Sequence, residues 1–228
     1  VEHLLSAVAG MGVDNLYIDV NDSELPIMDG SSSPYIFLLQ SAGIVLQETA
    51  EKIYLVMDKE VKVGDSERFC SIKPYPGFKV SFVIDYDHPN FNDDNQKADF
   101  EFSSASYLTS LCRARTFGFV KDKEIYKAQN LALGSSLENA IWLADDHIVN
   151  NYGLRYNDEF VKHKVLDAIG DLYLLSYCVI GHFEGYKSGH SLNNELLKAI
   201  ISDPSSYHLE QKVGDVLFDE FNPETVAA

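Results

Sequence analysis

His163, Asp167 and Asp171 recur at four-residue steps in the run His163-Lys164-Val165-Leu166-Asp167-Ala168-Ile169-Gly170-Asp171. On a helix such steps put all three side chains on one face. A neutral imidazole and a carboxylate one turn apart can hold two corners of a tetrahedral zinc site. The chain opens with Val1-Glu2-His3, a second histidine beside a carboxylate. Two histidines and one aspartate on a zinc ion, Zn2+, would leave one position for water, the layout of a catalytic rather than a structural site.

Taken alone, a His-x3-Asp pair is more often a solvated polar face than a site, because short motifs match by accident. Here Ala168, Ile169 and Gly170 surround the aspartates with small and apolar residues, and Glu2-His3 abuts an apolar helix start. Ser188-Gly189-His190 precedes another helix, where a loop histidine could protonate a leaving group or stabilise an oxyanion. Arg115-Thr116-Phe117-Gly118-Phe119 could set a hydroxyl beside an aromatic wall; its plainer reading is a helix end running into a strand. His88, His147, His182 and His208 lack such company and read as structural or exposed. No serine-nucleophile elbow, phosphate-binding glycine loop or dinucleotide fingerprint is present.

The elements that must position these residues can be read from period and punctuation. Residues 4–11 and 35–42 have helical apolar patterns, with Gly43 as a stop, and 15–20 alternates like a strand. Residues 53–56, 61–63, 69–73 and 79–86 read as consecutive strands of a meander, followed by a polar loop over 87–95. Residues 105–115 read as a helix, with small elements near 117–120 and 126–132 and strands at 139–143 and 147–150. The spacing predicts a helix over 159–175 with Asp158 as N-cap, a last helix over 190–201, and a weakly periodic tail. Helices and strands are segregated rather than regularly alternating, so the fold class is α+β, with a boundary in the 44–50 connector.

The chain of 228 residues is 46% hydrophobic, enough to bury a substantial core. A net charge of −17 argues against non-specific nucleic-acid binding and against docking on anionic lipid. Cys70, Cys112 and Cys178 are an odd number with no C-x-x-C spacing, which fits free thiols in a reducing compartment. No transmembrane run and no signal peptide are evident, so the expectation is a cytoplasmic, soluble protein.

Seven segments together resemble one family, the zinc-dependent UDP-3-O-acyl-N-acetylglucosamine deacetylases of lipid A biosynthesis. They are Val1-Glu2-His3, Pro26-Ile27-Met28-Asp29-Gly30-Ser31, Lys73-Pro74-Tyr75, Arg113 to Phe119, Gly153-Leu154-Arg155-Tyr156, His163 to Asp171 and Tyr186-Lys187-Ser188-Gly189-His190. The resemblance implies that His3, His163 and Asp167 bind zinc and that Glu2 is the general base acting on water. It implies that Thr116 stabilises the oxyanion and that His190, held protonated by Asp171, helps the amine leave. It implies that Lys164 contacts the polar head of a UDP-linked acylated amino sugar; an anionic diphosphate needs only one local basic cluster, to which Lys187 and Arg155 could contribute. It implies two α+β domains, each a two-layer sandwich of sheet and helices. Residues 1–47 would be the end of the first, truncated at its N-terminal side, and 48–228 the second. An insert at about 119–133 would form an acyl channel with Phe117, Phe119, Val120, Ile125 and Leu131 as substrate-contacting walls. A monomer is favoured. The alternatives are a non-catalytic binder of a lipid-sugar nucleotide with the same fold, or a zinc deacetylase of another acylated amino sugar.

Overall fold

The computed structural model describes residues 1–47, 49–130 and 132–212. In chain order its elements are α1 (Glu2–Gly10), α2 (Ser33–Ala42), β1 (Lys52–Met57), β2 (Val61–Gly64), β3 (Phe69–Lys73), β4 (Phe78–Val83) and β5 (Lys97–Glu101). They continue with α3 (Ser104–Ser110), β6 (Phe117–Phe119), α4 (Lys123–Ala128), β7 (Ile141–Leu143), α5 (Glu159–Leu172), β8 (Cys178–Tyr186), α6 (His190–Ser202) and β9 (Tyr207–Lys212).

Seven strands make one mixed sheet centred on β8. The start of β8 pairs in parallel with β1, Tyr54 opposite Cys178. Its later residues pair antiparallel with β3, Lys73 opposite His182, and in parallel with β4, Phe78 opposite Gly181. β2–β3 and β4–β5 are antiparallel hairpins, and β9 runs antiparallel to β1. β6 and β7 form a separate parallel ribbon. α5 lies against β4 and β5, α6 against β2 and β3, and α1 packs on α5. The strand pattern follows: on β4, Phe78, Val80 and Phe82 are buried while Lys79 and Ser81 are not, as expected of a sheet with helices over one face. α5 contributes Val161, Val165, Leu166, Ile169 and Leu172 to the core, and α6 contributes Leu192, Leu196 and Ile200 at helical spacing. The fold is α+β.

Several sequence expectations need correction. Residues 15–20 form no strand: Leu16, Tyr17, Ile18 and Val20 are all exposed, and an alternating pattern becomes a strand only where another strand accepts its backbone. The consecutive strands are not a meander, because β8 lies between β1 and β3 and separates β3 from β4. β5, β8 and β9 carried no expectation. The helix expected over 105–115 stops at Ser110, started by a reciprocal Ser103–Ser106 capping box. α5 ends at Leu172, with Leu175 in a following 3-10 turn. Asp158 does not cap α5 through its side chain; its carboxylate pairs with Lys162 at 3.0 Å. The 147–150 strand reduces to one bridge between Leu143 and Ile148. The weakly periodic tail expected after 201 contains β9, and its residues after 212 lie outside the described residues. Among the described residues no helix is long and apolar enough to cross a membrane.

Candidate metal centre

The centre exists because α1 lies unusually close to α5. A Cβ built on Gly170 would sit 2.0 Å from the Glu2 carbonyl oxygen. Only a residue without a side chain lets the first turn of α1 rest there. That contact carries Glu2 and His3 onto the α5 face that holds His163, Asp167 and Asp171. This face is no solvated stripe: His163 is 1%, Asp167 4% and Asp171 7% exposed.

His3, His163 and Asp167 converge. His163 Nε2 stands 3.2 Å and His3 Nε2 3.5 Å from the same oxygen, Asp167 Oδ1. The two imidazoles meet edge to face at 4.9 Å. His163 Nδ1 lies 3.0 Å from the Ala114 carbonyl, which can only accept. The proton therefore sits on Nδ1, and the Nε2 lone pair faces the cluster. Burial pushes the His163 pKa down to about 3, so the ring is neutral. Burial opposes ionisation of Asp167, but the Lys164 ammonium at 2.6 Å holds its carboxyl well below the usual range. Asp167 Oδ1 is buried without a hydrogen bond, and such an atom costs about 1–3 kcal/mol or more when charged. Zinc bonds of about 2.0–2.1 Å in a tetrahedron put ligand atoms roughly 3.3 Å apart. The donor set, its protonation and its spacing all fit a divalent cation.

Around this trio stands a second set. Lys164 Nζ contacts Asp167 Oδ2 at 2.6 Å and lies 5.9 Å from the Phe117 ring centre. His190 Nδ1 donates to Asp171 Oδ2 at 2.9 Å. Asn193 Nδ2 donates to the same oxygen at 2.8 Å, and Ser188 Oγ donates to Asn193 Oδ1 at 3.1 Å. The hydrogen bond to Asp171 outweighs desolvation and, with Asp167 and Glu2 nearby, raises the His190 pKa to about 9. His190 Nε2 then faces Glu2 Oε1 at 3.8 Å and Asp167 Oδ2 at 3.9 Å. Glu2, Asp167 and His190 thus border one space beside the trio.

The segment carrying Ala114 and Thr116 is fixed independently. Arg115 forks onto Glu159, Nε to Oε1 at 2.8 Å and Nη2 to Oε2 at 3.1 Å, with both residues buried. Thr116 is half-buried, and its amide donates to the Gly30 carbonyl at 2.8 Å. Gly30 has φ +83°, and a Cβ there would meet the Asn139 carbonyl at 2.0 Å.

Other expected residues are placed less uniformly. Phe117 and Phe119 join an aromatic cluster with Tyr86 and Phe91, and Phe117 also meets Phe160. Val120 and Ile125 are exposed. Leu131 lies outside the described residues. Of the three expected cations, Arg155 pairs with Asp29 at 2.9 Å, Lys187 with Asp85 at 2.9 Å and Lys164 with Asp167 at 2.6 Å. Sequence reasoning missed Asn193 and the Arg115–Glu159 pair. Asn193 stands three residues after His190 on the same helix, which is a usable signal. Nothing local in the sequence points from Arg115 to Glu159.

Comparison with known proteins gives two findings. A family model described as UDP-3-O-acyl N-acetylglycosamine deacetylase matches residues 1–202. The UDP-3-O-acyl-N-acetylglucosamine deacetylase of Coxiella burnetii (strain Dugway 5J108-111) is 54% identical over 209 residues, covering 92% of this chain and 69% of the relative. The protein of that name from Nitrosococcus oceani is also 54% identical over 209 residues, covering 92% and 68%.

Proposed function

This chain belongs to the UDP-3-O-acyl N-acetylglycosamine deacetylase family, and we propose that His3, His163 and Asp167 hold the zinc ion with which it works. It is a hydrolase: water cleaves the acetamide of UDP-3-O-acyl-N-acetylglucosamine, releasing acetate and leaving the free amine, a step of lipid A biosynthesis. The observation that carries the metal assignment is Asp167 Oδ1, buried without a hydrogen bond and flanked by two Nε2 atoms at 3.2 and 3.5 Å. When bound, zinc supplies Lewis acidity to water and to the amide carbonyl.

The chain's own groups do the rest. Glu2 takes the proton from the attacking water. His190, charged through its bond to Asp171, faces Glu2 at 3.8 Å and gives a proton to the departing amine nitrogen. An acceptor and a donor across one space are what amide hydrolysis needs. The Thr116 hydroxyl donates to the developing oxyanion. Lys164, anchored on Asp167, offers its remaining donors to the anionic head of the substrate. Phe117 and Phe119 wall the approach, with Val120 and Ile125 nearer the acyl chain. Residues 1–47 and 48–228 are assigned to two α+β units, and the enzyme to the cytoplasm as a monomer. Cys70, Cys112 and Cys178 are joined in no disulfide, which suits a reducing compartment. No observation favours the binding-only alternative.

Replacing Glu2 by Gln tests the roles. The variant should keep its metal and lose about 10²–10⁴-fold in acetate release, the usual contribution of a general base. Full turnover by Glu2→Gln would remove Glu2 as the base.

A further inference from the structure

His190 is the first residue of α6, and its side chain is half-exposed. The residue before it, Gly189, is extended, and a Cβ built there would meet nothing within 4 Å. Neither solvent nor that loop dictates a direction for the imidazole. Its direction comes from Asp171, whose Oδ1 and Oδ2 lie 3.1 and 2.9 Å from His190 Nδ1. A carboxylate can turn about its Cβ–Cγ bond, where the torsion is broad, and a turned carboxylate would re-aim the ring. Whatever fixes the Asp171 carboxylate therefore also aims His190 Nε2 at the space bordered by Glu2 and Asp167.

Asn193 provides that restraint. It stands three residues after His190 on the same side of α6 and is 2% exposed. Its Nδ2 donates to Asp171 Oδ2 at 2.8 Å, so α6 grips one carboxylate of α5 with two side chains from a single face. The amide cannot sit the other way round, because a carboxylate oxygen only accepts and Nδ2 is the donor end of the side chain. The far end is held as well: Asn193 Oδ1 accepts from Ser188 Oγ at 3.1 Å, and Ser188 is buried too. The Asn193 backbone N–H closes on the Gly189 carbonyl at 2.9 Å. Leu192 and Leu196 are buried in the core and seat the helix that carries the amide. The chain Ser188–Asn193–Asp171–His190 thus runs from a buried amide to a half-open ring.

We propose that Asn193 is a positioning residue of the reaction: by holding the Asp171 carboxylate in one orientation, it aims His190 Nε2 at the amide being cleaved. Buried as it is, Asn193 acts through Asp171 and not on the substrate. The proposal rests on the reading above, in which His190 gives a proton to the departing nitrogen.

The test is a cycle of zinc-loaded enzymes: wild type, Asn193→Ala, His190→Ala and the double variant. For each, kcat and KM are measured separately for acetate release from UDP-3-O-acyl-N-acetylglucosamine. A misaimed donor costs turnover rather than binding, so Asn193→Ala should lower kcat about 10- to 100-fold with KM unchanged. In the His190→Ala background no ring is left to aim, and adding Asn193→Ala should leave the residual kcat where it was. A merely structural role, through a loosened α6 or a displaced metal, would cost the same factor in both backgrounds, and that result overturns the proposal. So does wild-type kcat in Asn193→Ala. If Asn193→Ala does not fold, Ser188→Ala takes its place. It keeps the bond to Asp171 but frees the far end of the amide, so it should show a smaller kcat loss that is again absent in the His190→Ala background. No loss, or an equal loss in both backgrounds, overturns the proposal there too. Full turnover by His190→Ala would overturn the donor role of His190, and the positioning role with it.

Discussion

His190 shows how one contact sets a residue's chemistry. Half-exposed, it would titrate near 6.5, but the hydrogen bond to Asp171 raises its pKa to about 9. The folded value lies above the unfolded one. The stability from this pair is therefore fully present below about pH 6.5 and lost as pH rises through about 9. The proton that His190 is proposed to donate is lost over the same upper range. Asp171→Asn should shift the alkaline limb of the kcat/KM profile downward, toward 6.5; a profile superimposable on wild type would break the pairing. The i, i+4 ladder of His163, Asp167 and Asp171 was legible because it lies within one helix. His3 was legible as a candidate and the resemblance joined it to His163 and Asp167, but the distances between them were not legible, since they depend on how two helices meet.

That meeting is an element-scale property and rests on Gly170. Gly170→Ala puts a methyl group 2.0 Å from the Glu2 carbonyl, so α1 must move. Overpacking of this kind costs about 1–3 kcal/mol. Because His3 moves with α1, metal affinity should fall as well, measured by competition with a chelating dye. Wild-type affinity in Gly170→Ala would mean α1 does not position His3 this way. Glu159→Gln should cost more, about 3–5 kcal/mol in denaturant unfolding, because the buried Arg115 guanidinium loses its counter-charge. A loss below 1 kcal/mol would show that the pair does not hold the Ala114–Thr116 segment. Helices α1, α2, α5 and α6 were readable from their apolar period. The central strand β8 was not, because Gly181 and Gly185 interrupt its pattern. Both are needed where Met57, Ile72 and Phe82 press on the backbone, with built Cβ atoms at 2.7–3.2 Å from their side chains. Residues 15–20 misled in the opposite way, an alternating pattern with no partner among the described residues.

At the scale of the whole molecule, the metal centre joins α1 to α5, so its ligand should act as a cross-brace. Zinc at a thousandfold excess over its Kd stabilises a fold by about 4 kcal/mol. In a chain of this size that corresponds to a Tm shift on the order of 10 °C. Chelation should produce that drop in wild type and none in His163→Ala; equal drops in both would place the metal elsewhere. With a net charge of −17, the proposed contact of Lys164 with an anionic substrate is a local one within an acidic molecule. Fold class was legible in patterning, whereas sheet order was not, because strand neighbours are fixed by long-range pairing. The most direct test is zinc titration of metal-depleted protein while following acetate release from the UDP-linked substrate. The rate should rise linearly to one zinc per chain and then stay level. Full activity in the depleted protein, or a rate indifferent to added zinc, would contradict a metal held by His3, His163 and Asp167.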